Sequence, residues 1–345
     1  MDVNFTSTYL LNARLRDSIQ SMQSELSRRQ LELSTGRKHD IGLELGSLAT
    51  HLVSTRRQIE SIQQVQVTNG LVAERMTVMQ DAMGAMVAGA QSMVDQLAVE
   101  MSDNLDRNLL SQFGVAGIND FAMLANTTFR GEYVFSGINT DIPAINDYAA
   151  GPQAAVRAAF LAEFGMLPDD PAVAGIDAAA MTAFLEGAYS DLFDDAGWQA
   201  DWTGASTRDI RVKYSLSAVT ELPGNANDSS MRRLAAGYAI MAELGGSAIG
   251  DETMNAVVRF AVERLSQGIA ETTSVQSRLG VVENRVAAAG ERLDYQEIIL
   301  TNTVNALQGV DSYEVAMRIN ELLASIEASY AVTAKIRGLS IMDYL

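Results

Sequence analysis

The chain has 345 residues, 48% of them apolar, and its 25 basic against 43 acidic side chains leave a formal net charge of −18. That charge gives no general attraction for phosphate backbones or anionic membrane surfaces, which argues against nucleic acid and membrane as partners. The absence of cysteine excludes disulfides, thiolate zinc sites and cysteine nucleophiles. No stretch approaches the roughly 18 consecutive apolar residues of a membrane span.

The first nine residues, Met1 to Tyr9, lack a basic start and a long apolar run, so any export is expected to take a route without a cleaved signal peptide. Leu11, Leu15, Ile19, Met22 and Leu26 then recur every three or four residues and predict an amphipathic helix over 8–33, stopped at Gly36. Residues 36–52 read as a loop with a short helix. From about Thr55 to Met101 a heptad seam runs through Ile62, Val65, Asn69, Val72, Met76, Met79, Met83, Met86, Ala90, Met93 and Leu97. A helix of that length spans ~70 Å, more than one small domain covers, and asks for a coiled-coil partner. Asn69 is expected either to fix the register of that seam or to turn toward solvent.

A helix over 104–129 follows, with Leu110, Phe113, Gly117, Phe121 and Leu124 inward, and then a short strand in Gly131–Gly137. Residues 141–208 differ in kind. They hold four of the five prolines and both tryptophans, and between Asp141 and Asp209 stand twelve acidic residues against Arg157 and Arg208. This predicts a separate acidic α+β domain inserted into the helical rod. Residues 209–222 alternate with period two and predict strand, Pro223-Gly-Asn225 a turn, and 229–245 and 251–270 helices. A second heptad seam takes Val275, Leu279, Val282, Val286, Ala289, Leu293, Gln296, Leu300, Val304 and Leu307. After Gly309-Val-Asp311, a last helix carries the stripe Val315, Ile319, Leu322, Ile326 and Tyr330. Striped helices at both ends need partners: each other first, then the same helices on neighbouring copies.

Little else in the sequence carries chemistry. His39 and His51 are the two histidines, without a His-Glu-x-x-His pattern, and no glycine-rich loop ends in Gly-Lys-Ser/Thr. The pairs Asp169-Asp170 and Asp194-Asp195 lack the regular ligand spacing of a calcium loop and read as a solvated acidic face. Trp198 and Trp202 could stack on a sugar, but read first as core. The methionines of the first seam make a tolerant coiled-coil core. No catalytic residue, cofactor or metal ligand is expected.

Leu10-Leu-Asn-Ala-Arg-Leu15, with Leu33-Ser-Thr-Gly-Arg-Lys38 after it, resembles the N-terminal helix of the flagellin superfamily. Ala328-Ser-Tyr-Ala-Val-Thr-Ala-Lys-Ile-Arg-Gly-Leu-Ser-Ile-Met-Asp-Tyr-Leu345 resembles its C-terminal helix. Thr128-Phe-Arg-Gly-Glu-Tyr-Val-Phe-Ser-Gly137 and the closing Leu-Ser-Ile-Met-Asp-Tyr-Leu lean toward the hook-associated protein 3 (FlgL) family within it. The likeness covers about 1–140 and 210–345. In place of the family's Asp-Asp-Pro-Ala or Asp-Asp-Ala-Ala stretch stands His39-Asp-Ile-Gly-Leu-Glu-Leu-Gly46.

The resemblance implies a mainly α fold with a small β component: a terminal helical bundle (1–38 and 310–345), an antiparallel helical rod or coiled coil with a short β-hairpin (39–140 and 209–309) and an inserted, variable α+β outer domain (141–208). It implies a structural subunit at the junction of flagellar hook and filament, exported by the type III route. Its partners would be its own copies in a ring, the preceding hook-associated junction protein, flagellin and an export chaperone. The alternatives are a filament flagellin and, further off, a secreted carbohydrate-binding or hydrolytic protein using the acidic insert.

Overall fold

The computed structural model describes residues 5–102 and 106–338. The protein is mainly α-helical. In chain order the main elements are α1 (Phe5–Thr35), α2 (Ile41–Leu45), α3 (Leu48–Ser102), α4 (Arg107–Ala125), β1 (Thr128–Phe129), β2 (Glu132–Tyr133), α5 (Pro152–Phe164), α6 (Ala178–Phe184) and α7 (Asp195–Gly197). There follow β3 (Arg211–Lys213), β4 (Val219–Glu221), α8 (Ser229–Leu244), α9 (Asp251–Gln308) and α10 (Ser312–Gly338). The helices expected at 251–270 and from Val275 onward are one helix. The residues between them, Glu271 to Ser274, contain no glycine or proline to break it.

The chain forms two compact units, one of residues 1–63 with 294–345 and the other of 64–293. In the larger unit every residue of the first seam from Val65 to Leu97 is buried, as are Val275, Leu279, Val282, Val286, Ala289 and Leu293 of the second. Gln80 and Gln276 exchange side-chain-to-backbone hydrogen bonds at 3.0 and 3.3 Å, tying α3 to α9. Asn69 does neither of the things expected of it. It is buried, and its Nδ2 donates to the Tyr214 carbonyl at 3.0 Å, holding the loop between β3 and β4. That loop divides residues 209–222, expected as one strand, into an antiparallel hairpin with Val212 opposite Thr220. Arg75 anchors the other hairpin, pairing with Glu132 at 3.0 Å and donating to the Tyr133 carbonyl at 2.8 Å. The turn of that hairpin puts Arg130 and Gly131 at φ +54° and +86°, the two-residue geometry that suits the twist of paired strands. The strand expected over Gly131–Gly137 is therefore shorter, and Val134, Phe135 and Ser136 run on as buried chain outside the named strands, with backbone hydrogen bonds to Thr127, Ala226 and Ser206.

Residues 141–208 contain helical turns and no strand among the described residues; the β structure expected in the insert lies on either side of it. Composition sets this segment apart, but its apolar side chains join the same core as α4, α8 and α9. Trp198 and Trp202 are fully buried and stack with ring centroids 5.4 Å apart at 9°. Trp198 Nε1 donates to the Ala226 carbonyl at 3.1 Å. Phe160, Phe184, Tyr189 and Phe193 continue the aromatic cluster, and Tyr189 meets Phe260 of α9 edge-on at 5.7 Å. Each such pair adds about 0.5–1.5 kcal/mol beyond area burial. The buried carboxylate of Glu243 on α8 holds the segment in place. It accepts from Tyr148 Oη at 3.1 Å, Gln153 Nε2 at 2.7 Å and Arg157 Nε at 2.8 Å. Burial, together with this neighbouring carboxylate, pushes the Tyr148 hydroxyl pKa well up. Arg157 also pairs with Asp169 at 2.5 Å, while Asp170 caps the following turn through Ala172 N–H. The first acidic pair thus has structural partners.

α4 and α8 approach so closely that a Cβ on Gly114 would lie 2.2 Å from the Ala242 backbone nitrogen, and one on Gly245 2.7 Å from that of Ser111. The buried stripe of α4 is accordingly Leu110, Gly114, Ile118, Phe121 and Ala125, with Phe113 and Leu124 at its edge. Overpacking of a tight core costs about 1–3 kcal/mol, so Gly114→Ala is expected to lower the unfolding free energy by that amount, read as a lower urea midpoint at unchanged m-value.

Candidate self-assembly interface

The smaller unit is built by the two ends of the chain. An isolated amphipathic helix is marginal in water and gains its stability from a covered apolar face. Here α1 packs along α10, and the two run antiparallel. Val315, Leu322 and Ile326 are buried in the seam and Ile319 partly so; from α1, Leu15, Ile19, Met22 and Leu26 are partly buried. The side chain of Leu11 lies outside the described residues, as do residues 339–345. Tyr330 leaves the seam: its ring is half exposed, and its hydroxyl accepts a hydrogen bond from Gln23 Nε2 at 2.9 Å. Full burial of one large apolar side chain is worth about 1.5–3 kcal/mol, and the partly buried residues of α1 have not reached that limit.

A tight corner fixes the register of the pair. Gly36 ends α1 with φ +67°, the left-handed geometry that glycine adopts without strain. Its carbonyl accepts from Val310 N–H at 3.2 Å, Lys38 N–H donates to the Gln308 carbonyl at 2.8 Å, and Arg37 bridges to Gly309. Arg56 of α3 reaches the Gln308 side chain at 2.5 Å, and Gln63 the Glu297 carboxylate at 2.7 Å. The second seam therefore changes character here. Gln296 points to solvent, while Val304 packs with Leu45 and Leu52, flanked by Ile41, Ile59 and Leu307.

The loop that departs from the family pattern is organised around Glu32. This carboxylate, almost fully buried, accepts from the His39 N–H at 3.0 Å and pairs with Arg29 at 2.7 Å. Burial alone would raise its pKa, but the His39 N–H and the Arg29 guanidinium outweigh it and hold Glu32 below its ordinary value of 4.5. Asp40 caps α2 through Leu43 N–H at 2.9 Å. Ile41 and Leu45 turn inward, while Leu43 is 78% exposed. His39 and His51 are both exposed.

Apolar side chains also remain on the outside. On α10, Tyr313 (78% exposed) and Met317 lie on the side opposite the buried stripe; on α1, Leu10 and Leu31 do the same. Tyr295, Ile298 and Ile299 of α9 form a further exposed group at helical spacing. Reasoning from one stripe per helix missed these residues. The signal was present as apolar side chains off the stripe and off the seam. Covered on one side only, the helix pair can bury a second face against another helix.

Residues 6–140 match the bacterial flagellin N-terminal helical region and residues 262–345 the bacterial flagellin C-terminal helical region. Among solved structures, the fold is similar to that of a chain from Vibrio parahaemolyticus described as a flagellar hook-associated protein. The TM-score is 0.51 at 10% sequence identity, covering 77% of this chain and 99% of that one. At that identity the likeness is one of fold. No curated protein matches the chain.

Because its folded pKa is depressed, Glu32 contributes stability that is present above pH 4.5 and lost as pH falls through the lower folded value. The protection of the His39 amide, its measured hydrogen exchange relative to the intrinsic rate at the same pH, is expected to be high at neutral pH and to fall on acidification. Glu32→Ala should leave that protection low at every pH.

Proposed function

We propose that this chain, which belongs to the bacterial flagellin superfamily, is the subunit that joins flagellar hook to filament. Its role is structural: the two matched regions are those of bacterial flagellin, a family of structural proteins. The observation that carries the finer reading is the fold likeness to a hook-associated chain along 99% of that chain's length. The sequence of the C-terminus, with its likeness to the junction family, supports the same choice.

In this reading the assembly residues are Leu11, Leu15, Ile19, Met22 and Leu26 of the first helix and Val315, Ile319, Leu322, Ile326 and Tyr330 of the last. The buried members hold α1 to α10 within one subunit. The outward residues Leu10, Leu31, Tyr313 and Met317 then meet the same helices of neighbouring copies. A ring of such subunits would rest on the preceding hook-associated protein and receive flagellin. Delivery through the type III export channel, with a dedicated chaperone, completes the proposal.

The competing reading is a filament flagellin, which the two terminal matches fit equally well. Immuno-labelled electron microscopy separates them: the junction reading expects a single band at the hook–filament joint, and label along the whole filament would replace it with the flagellin reading. Leu322→Asp places a charge in a buried seam, which is costly. The variant is expected to keep the helical content of the 64–293 unit by circular dichroism and to fail to incorporate. Normal incorporation and motility would refute the assembly role of the terminal pair.

A further inference from the structure

In the 64–293 unit, a cavity of about 220 Å³ opens between α8, α9 and the 190–194 segment, far in sequence from the terminal helices. Three of the chain's 25 basic residues line it, Arg232, Arg233 and Arg264. Two of them are already engaged. Arg232 pairs with Asp195 at 2.5 Å and donates twice to the Asn227 carbonyl. Arg233 lies 2.8 Å from Glu271, close in distance though not aligned as a hydrogen bond, and donates to Gln267.

Arg264 is different. Among the described residues no carboxylate lies within ion-pair distance of it. Its guanidinium sits 4.7 Å over the Phe260 ring and makes only long contacts, 3.4 Å to Ser190 Oγ and 3.5 Å to Gln267 Oε1. On the same cavity stands Asp194, whose carboxylate also has no ion pair or hydrogen bond among the described residues. Asp194 holds the N-cap position of α7, where a carboxylate ordinarily accepts from the helix N–H groups, and makes no such bond. Two opposite charges therefore line one cavity more than 4.0 Å apart without pairing. The same cavity is lined by Ser190 and Ser229, whose hydroxyls donate to the Leu185 carbonyl and to Glu271 at 2.6 Å each, and by the ring of Phe193. The wall that carries Ser190, Phe193 and Asp194 runs from a kink at Gly187, where φ is −100° and ψ −110°, to the turn Trp198–Trp202.

We propose that this cavity binds a small zwitterion of the α-amino acid class. The carboxylate would pair with Arg264, the ammonium with Asp194, and a short side chain would rest on Phe193. A simple anion would meet repulsion from Asp194, and a simple cation repulsion from Arg264. A ligand carrying both charges at close spacing satisfies the two unpaired groups together. The cavity is below the usual range for drug-sized ligands, roughly 300–1,000 Å³, and suits a molecule of few atoms.

Phe193 contacts Trp198 and Trp202, the two tryptophans of the chain, with ring centroids 6.3 and 4.8 Å away. Occupancy should therefore change intrinsic fluorescence. The test titrates the full chain with alanine and serine, with lactate as the carboxylate alone and ethylamine as the ammonium alone, by fluorescence and calorimetry. Saturable binding of the amino acids is expected, at least about tenfold tighter than either half-ligand. Arg264→Gln and the conservative, exposed Asp194→Asn should each weaken amino-acid binding by about tenfold or more. Circular dichroism identifies any variant that fails to fold. Absence of saturable amino-acid binding would overturn the proposal. So would lactate binding as tightly as alanine, or an Asp194→Asn chain that folds and binds alanine unchanged.

Discussion

An amphipathic helix at the end of a chain has one way to become stable, which is to find a second apolar face. The smaller unit of this protein is organised around that constraint. α1 and α10 supply each other's cover, and the seam of Val315, Leu322 and Ile326 against Leu15, Ile19, Met22 and Leu26 is where it is met. The corner at Gly36 and Gly309 fixes which residues face which. Glu32 in turn fixes the corner by taking the His39 N–H and the Arg29 guanidinium. The residues left outside this arrangement, Leu10, Leu31, Tyr313 and Met317, show that one partner does not exhaust the apolar surface of the pair. A flagellar structural protein that assembles through its ends would need this second face.

Much of this was legible in the sequence because burial imposes a period. The first seam was read residue by residue, and every member is buried. The stop at Gly36 was legible because glycine there takes a left-handed conformation that other residues enter only with strain, and the break at Gly309 because a Cβ there would lie 2.6 Å from the Asn305 carbonyl oxygen. What could not be read depends on partners distant in the chain. Asn69 looked like a register device or a solvated polar group, yet its partner is the Tyr214 carbonyl, 145 residues away. The alternation over 209–222 gave the strand material but not the fold-back in it. Gln296 fitted a heptad by position and is exposed, since a period cannot tell which turn of a helix meets its partner. Of the terminal stripes, Val315, Leu322 and Ile326 are buried and Leu15, Ile19, Met22, Leu26 and Ile319 partly so, while Tyr330 leaves the seam; the outward apolar residues were not found, because a single stripe was sought on each helix.

The acidic segment illustrates a different limit. Its charge and prolines mark it as distinct, and charge does lie on its surface. Yet its aromatic residues are inward and meet Phe260 and the α8 backbone, so packing joins what composition separates. Tyr148, Gln153 and Arg157 converge on Glu243, a carboxylate that sequence alone gave no reason to notice. Removing one partner of such a buried, hydrogen-bonded charge leaves the other uncompensated, which makes the network a strong constraint on where the segment sits.

The pairing of α1 with α10 within one chain is the claim on which the rest stands, and the absence of cysteine allows a clean test of it. Gln23 and Tyr330 touch across the pair. A Gln23→Cys, Tyr330→Cys double variant, treated as a dilute monomer with a short bis-maleimide that spans the reach of the two replaced side chains, should cross-link within the chain in high yield, seen as a faster-migrating monomer on denaturing gels. A cross-link that forms only between chains, or only after assembly, would contradict the account.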